Sequence, residues 1–379
     1  MNLIIIGTGL AGYTLAKEIR KLNQAINITM ITDNDGAFYS KPNLSTALTK
    51  NKSSNDLIQN TAKEMEEKYK IKILTHTKVN SIDTEKSQIN IEKKSFQYDS
   101  LVLAVGANPF RPPINGNASN DALSINSLND YKVFRKKLQS AEKVAIIGPG
   151  LIGCEFANDL ISQDKEVYVI GPDAYPMSGL LTKETGEYLQ DELSKYKVNW
   201  HLNCLPKSIN KLNDKYEILL NNNQSIFCDL IISAVGLRAN LSLIKNTNIN
   251  HDKAILVNEY LQTNISNIYA VGDCAQVNSH YLPFVAPILS GTKALAKTLN
   301  KDKTNVQYKA SSIIVKTSNC PLVIAKPNTK HDTSTLTKTK NGLKLLYLNN
   351  EKKIIGFILM GDQVKEKQIL TKFLPDFII

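Results

Sequence analysis

Several absences narrow the chemistry open to this chain. Its five cysteines, Cys154, Cys204, Cys228, Cys274 and Cys320, are scattered, with no C-x-x-C among them. An odd, dispersed set argues against a disulfide framework and against a Cys-ligated zinc or iron–sulfur site. The five histidines, His76, His201, His251, His280 and His331, show no metal-ligand spacing, so no metal site is expected. No apolar run approaches the ~18 residues of a membrane span. The first strand begins at residue 3, leaving no room for a cleaved presequence. The expectation is a soluble cytoplasmic protein with no membrane partner. Acidic residues are in deficit, 35 against 46 Lys and Arg, for a net charge of +11. The excess suits an acidic partner, and the lysines are spread along the chain with no nucleic-acid motif; a general Lys- and Asn-rich composition would also produce it, so the charge alone decides nothing. With 379 residues, 42% hydrophobic and 21% charged, the chain is globular and long enough for about two to three domains.

What the sequence does contain begins at once. Leu3 to Ile6 is a short apolar run suited to a buried parallel strand, followed by Gly7-x-Gly9-x-x-Gly12 and an amphipathic helix from Tyr13 to Leu22. Gly7 permits the tight turn, Gly9 lets the backbone approach a pyrophosphate, and Gly12 lets the helix pack closely on the sheet. The helix N-terminus supplies free N–H groups for phosphate. Asp33 lies 21 residues past Gly12, beyond the strand Ile28 to Ile31, where a carboxylate accepts from a ribose hydroxyl. Strand, glycines, helix, strand and acid in this order spell a dinucleotide-binding fold.

The pattern then returns. Val144 to Ile147 leads into Gly148-x-Gly150-x-x-Gly153, a helix from Cys154 to Ser162, and the strand Val167 to Ile170. Leu101 to Ala107 and Leu230 to Gly236 are parallel closing strands, each carrying Ala-Val-Gly, and their glycines Gly106 and Gly236 join the candidate cofactor-binding residues. Position 171 breaks the repeat: it is glycine where a ribose acid is usual, and Asp173 follows Gly171-Pro172. No arginine pair follows to grip a 2′-phosphate, so NADH is preferred over NADPH. A third strand-to-glycine element ends at Gly272-Asp273, and a helix is expected from about Leu289 to Leu299. Further helices are expected over residues 56 to 70 and around Val364 to Leu374. Short β-like runs from Val306 onward suggest a small α+β domain. The division expected is 1–112 and 237–303 for one dinucleotide-binding domain, 113–236 for the second, and 304–379 for the C-terminal domain.

With Gly7-x-Gly9-x-x-Gly12, Gly148-x-Gly150-x-x-Gly153-x-Glu155 and Tyr269-Ala-Val-Gly272-Asp273 in one chain, the sequence resembles the two-dinucleotide-binding flavoprotein reductases. Within them it is most similar to the rubredoxin reductases, through Gly9 to Tyr13, Phe38 to Pro42, Leu74 to Thr77, Gly150 to Asp159, Ser233 to Arg238 and Val315 to Thr317. The resemblance implies an α/β protein with two Rossmann-like domains, FAD in the first and NADH in the second, and rubredoxin, a small acidic iron protein, as acceptor. It implies that Gly7, Gly9, Gly12 and Asp33 hold the FAD adenosine and pyrophosphate, that Val79 touches the adenine, and that Asp273 binds the ribityl chain or pyrophosphate. It also places Lys41 near the flavin ring and Glu155, on the first turn of its helix, near the nicotinamide. Without a redox-active cysteine pair, a flavin here hands electrons directly to an external acceptor. A ferredoxin or a nitric-oxide-scavenging flavorubredoxin is the nearest alternative acceptor; a signalling or nucleic-acid-binding flavoprotein is a remoter one. Two basic clusters could face an acidic partner, Arg135 to Lys137 and Lys365, Lys367 and Lys372, and either reads equally well as a solvated helix face.

Overall fold

The computed structural model describes residues 1–376, so positions 377–379 of the expected C-terminal domain lie outside the described residues. Asn2–Ile6 is the centre of a five-stranded parallel sheet ordered Ile268–Ala270, Ser100–Leu103, Asn2–Ile6, Asn27–Ile31, Lys72–Leu74. Leu3 through Ile6 are all buried, as a strand covered on both faces requires. The helix Leu10–Leu22 packs against Val285–Leu299, so chain from two distant stretches builds one layered unit. The second parallel sheet runs Val198–His201, Glu166–Ile170, Lys143–Ile147, Leu230–Ser233. In each unit a three-stranded antiparallel meander, Ser81–Asp83 through Lys94–Gln97 and Pro206–Leu212 through Ser225–Cys228, precedes the closing strand. Ala107–Pro109 pairs antiparallel with Leu237–Ala239 where the chain crosses between the units. The C-terminal sheet is antiparallel, ordered Ile313–Val315, Leu322–Ala325, Ile354–Gly361, Gly342–Leu348, Thr333–Thr339.

Element types follow the sequence pattern, and the boundaries shift for physical reasons. The first helix starts at Leu10, because Gly9 serves as its N-cap in extended conformation. The helix expected over 56–70 is confined to Ala62–Tyr69 by a capping box in which Thr61 and Glu64 bond reciprocally. Val285–Leu299 starts four residues early, since Pro287 falls within its first turn, where no N–H is missed. The last expected helix is a 3₁₀ turn, Asp362–Glu366, followed by the short helix Lys367–Thr371. The helix Lys183–Ser194 and the edge strand Thr333–Thr339 escaped the sequence reading, and of Leu128–Leu138 only the basic face at Arg135 to Lys137 was read. That strand is exposed throughout and carries one apolar residue, Leu336, so no hydrophobic alternation marks it. Arg135 to Lys137 occupy the last turn of Leu128–Leu138, where cations complement the helix dipole.

One buried side chain ties the first unit together. Arg20, on the inner face of the first helix, donates from Nε to the Tyr69 carbonyl at 2.7 Å, from Nη1 to the Ile26 carbonyl at 2.7 Å and from Nη2 to the Lys70 carbonyl at 2.9 Å. Burial lowers its pKa, and the carbonyl dipoles keep the planar fork in place. Arg20→Leu should therefore destabilise the fold by about 2–4 kcal/mol in urea unfolding, from carbonyls left unpaired. Arg20→Lys should recover only part of that loss.

Candidate functional site

Each glycine loop divides its three glycines between structure and opening. Gly7 has φ +114°, and a Cβ there would stand 2.3 Å from the Ala104 carbonyl oxygen; at Gly12 it would stand 2.1 Å from that of Gly7. These two lock strand, turn and helix into contact. At Gly9 a Cβ would meet no protein atom within 4 Å, so the loop presents bare backbone to open space at the start of a helix. Gly106, φ +67°, faces open space too. Gly272, φ +87°, brings the end of Ile268–Ala270 against the same helix: a Cβ there would lie 2.8 Å from that of Ala11. The next residue, Asp273, has its Oδ1 buried with no hydrogen-bond partner. Burial raises its pKa, opposed by the Lys41 charge.

Lys41 opens the 3₁₀ turn Lys41–Thr46, with Pro42 in its second position. Its side chain keeps solvent contact, yet desolvation lowers its pKa against the opposing pull of Asp273 and Asp130. Lys41 and Asp273 are thus close enough for each charge to act on the other. Its ammonium donates to Asn126 Oδ1 at 3.4 Å, and Asn126 Nδ2 donates to the Ala107 carbonyl at 3.1 Å. Asp33 is exposed beyond the end of Asn27–Ile31, whereas Val79 is 8% exposed and packed with the first core.

The second loop repeats the geometry. A Cβ at Gly148, φ +112°, would stand 2.5 Å from the Ala234 carbonyl oxygen, and one at Gly153 would stand 1.9 Å from that of Gly148. Gly150 and Gly236 again meet nothing within 4 Å. Here the glycine at 171 acquires a reason. Any Cβ at that position would lie 2.1 Å from Cδ of Pro149, inside the Gly148-Pro149-Gly150 turn, so an acid there would force the proline aside. The Asp173 carboxylate accepts a short hydrogen bond from Ser178 within its own loop.

The second loop runs into the helix Leu151–Ile161, which starts earlier than its apolar pattern suggests and puts Glu155 in the second turn, not the first. Glu155 is fully buried. Its carboxylate accepts from Lys316 Nζ at 2.9 and 3.0 Å, from the Lys316 backbone N–H at 3.0 Å and from Ser45 Oγ at 2.5 Å. One turn on, Asp159 accepts from the N–H groups of Leu48 and Thr49 at 3.0 and 2.8 Å and from Thr49 Oγ1 at 2.7 Å. Asn158 accepts from Asn319 N–H at 3.0 Å and donates to Ser318 Oγ at 3.1 Å. The spacing i, i+3, i+4 sets these three side chains on neighbouring positions of one helix. Through them it grips the Lys41 turn on one side and the C-terminal sheet on the other. Lys316, Ser45 and Asn126 went unnoticed in the sequence, although Lys316 sits inside the Val315-Lys-Thr317 stretch.

All five cysteines are buried and unpaired. Burial raises the Cys274 thiol to about 11 and those of Cys228 and Cys320 to about 12, so each packs as an unreactive apolar group. Among the described residues no group of three or more His, Cys, Asp or Glu could hold a metal, and no helix is long and apolar enough to cross a membrane.

Residues 1–306 match the family described as Pyridine nucleotide-disulphide oxidoreductase, and residues 305–374 match the Rubredoxin binding C-terminal domain. The chain is 39% identical to a Rubredoxin-NAD(+) reductase of Acinetobacter baylyi, over 99% of this chain and 98% of that one. It is 33% identical to a Nitric oxide reductase FlRd-NAD(+) reductase of Klebsiella pneumoniae, over 98% of each. In fold it resembles the reductase of the covalent putidaredoxin reductase–putidaredoxin complex, with a TM-score of 0.88 and 23% identity, over 99% of this chain and 94% of that one.

The division of labour among the glycines is testable by substitution. Gly9→Val should fold with wild-type stability and purify without flavin, since its side chain enters only the open cradle. Gly12→Val should fail earlier, with a lowered unfolding midpoint, because its side chain would run into the Gly7 carbonyl. Absorbance of bound flavin and thermal unfolding read the two outcomes separately.

Proposed function

The chain belongs to the pyridine nucleotide-disulphide oxidoreductase family, and from that premise we propose that it takes electrons from NADH through bound FAD and passes them to rubredoxin. The observation that carries this reading is one chain holding two open glycine cradles and, at residues 305–374, a match to a rubredoxin-binding domain. Of the two kinds of relative compared, the one named for rubredoxin has the higher identity, 39% against 33%. The proposed division assigns 1–112 and 237–303 to FAD, 113–236 to the nicotinamide cofactor and 304–379 to the acceptor.

The residues present fit these groups. Gly9 and the N-terminus of Leu10–Leu22 offer backbone N–H groups to a pyrophosphate. The orphaned Oδ1 of Asp273 is an acceptor awaiting a hydroxyl, which FAD can supply. Asp33, exposed beyond Asn27–Ile31, is proposed at the ribose and Val79 at the adenine. Gly106 leaves room beside this cleft, and Gly150 with Gly236 forms the corresponding opening for the nicotinamide cofactor. FAD, when bound, accepts a hydride and releases single electrons; the protein binds, orients and tunes. Lys41, whose charge acts on Asp273, is proposed at the flavin cleft, where its ammonium can stabilise developing negative charge. The run from Gly171 to Thr182 holds no Lys or Arg for a 2′-phosphate, which supports NADH over NADPH. Five free, buried thiols fit a reducing, cytoplasmic setting.

Stopped-flow mixing tests the proposal in two halves. NADH should reduce the bound flavin faster than NADPH does at equal concentration. Pre-reduced protein should then reduce rubredoxin at a rate that falls as salt rises, because a net charge of +11 steers an acidic acceptor over a Debye length of about 8 Å. Flavin reduction by NADH should depend on salt far less. Flavin unreactive to NADH, or reduced protein indifferent to rubredoxin, would refute the reading.

A further inference from the structure

The Glu155 carboxylate has its hydrogen-bonding capacity taken up within the protein. Its partners come from two other parts of the chain, Ser45 on the Lys41 turn and Lys316 just past the strand Ile313–Val315. The Lys316 ammonium also lies 3.5 Å from Ser45 Oγ, so the three groups form a closed triangle. Glu155 belongs to the helix whose N-terminal loop holds the second open cradle, and Ser45 stands one turn beyond the cleft lysine. We propose that Lys316 is a positioning residue of the donor half-reaction. Held by Glu155 and Ser45, it fixes the nicotinamide-binding helix against the flavin-binding turn, so the acceptor-binding domain also sets the donor geometry.

The consequence is a particular separation of effects. The contacts that retain a dinucleotide phosphate, Gly150 and the helix N-terminus, move with Leu151–Ile161 as one body, so losing Lys316 leaves them intact. What loosens is the placement of that body relative to Lys41 and its cleft. Hydride transfer is far more sensitive to such displacement than binding is, since about 1 Å of misplacement can cost ~100-fold in rate. The inference rests on the NADH-to-flavin reading above.

The experiment uses the flavin-loaded full chain with Lys316→Met, Lys316→Arg, Glu155→Gln and the double variant Glu155→Gln with Lys316→Met. NAD⁺ binding is measured by calorimetry, flavin reduction by NADH and rubredoxin reduction by stopped flow, and fold by thermal unfolding. Lys316→Met and Glu155→Gln should each lower the flavin-reduction rate about 10- to 100-fold while NAD⁺ affinity stays within about 2-fold. Lys316→Arg should restore most of the rate, because its fork can still grip the carboxylate. The double variant should be no slower than the slower single one, as expected of residues acting as a unit. If Lys316→Met does not fold, Glu155→Gln carries the same comparison with the lysine in place. Unchanged flavin reduction in both single variants would overturn the inference. So would NAD⁺ affinity falling in step with rate, or slowing confined to rubredoxin reduction. A wild-type flavin that NADH fails to reduce would instead sink the underlying reading.

Discussion

Burying a carboxylate costs several kcal/mol, returned only where a partner charge and further hydrogen bonds have good geometry. The Lys316–Glu155 pair meets that condition because three stretches of chain arrive together: the Lys41 turn, the helix Leu151–Ile161 and the edge of the C-terminal sheet. Asn158 and Asp159 extend the same grip with bonds to Asn319, Leu48 and Thr49. These polar contacts border an apolar core that the same three stretches share, with Leu48, Phe156 and Val315 in it. They are directional, and directional contacts fix the angle between layered units in a way that apolar packing alone does not. A reductase that must bring two cofactors and a protein acceptor into one line needs that kind of constraint.

The repeated fold explains what each unit can and cannot vary. Gly7 with Gly12, and Gly148 with Gly153, leave no room for a methyl group, so both loops close in the same way. Gly9 and Gly150 are glycines for the space in front of them, not for the packing behind. At the end of the second strand the units part. The first ends near Asp33, while the second places Gly171 against the ring of Pro149. In the second unit a side chain at 171 would run into the proline of its own glycine loop.

Local spacing carries information that distance in the chain removes. Both glycine loops, their strands and their helices were readable because strand, turn and helix adjoin within about twelve residues, and each glycine's geometry is set there. The Ala-Val-Gly echo singled out Gly106 and Gly236 as cofactor-binding candidates, and both face open space. The clamp was not, because Ser45 and Lys316 reach Glu155 across 110 and 161 residues, and neither type is unusual where it stands. Asn126 escaped for the same reason, meeting Lys41 across 85 positions. The edge strand Thr333–Thr339 was hidden by composition: polar on both faces, it is held by backbone bonds to Gly342–Leu348. The helix Lys183–Ser194 was overlooked among more conspicuous glycine motifs, and Leu128–Leu138 was read only at its basic face, although it buries Tyr131, Phe134 and Leu138 on one face.

The central claim is that the helix Leu151–Ile161 locks three parts of the chain into one working unit through its polar side chains. Amide hydrogen exchange tests it directly, because Leu48, Thr49, Lys316 and Asn319 each donate a backbone N–H to a side chain of that helix. If the clamp is integral to the fold, these four amides exchange only with global unfolding, as slowly as the central strands. Exchange at the rate of exposed loops, with both parallel sheets still protected, would show the units moving independently and would contradict the account.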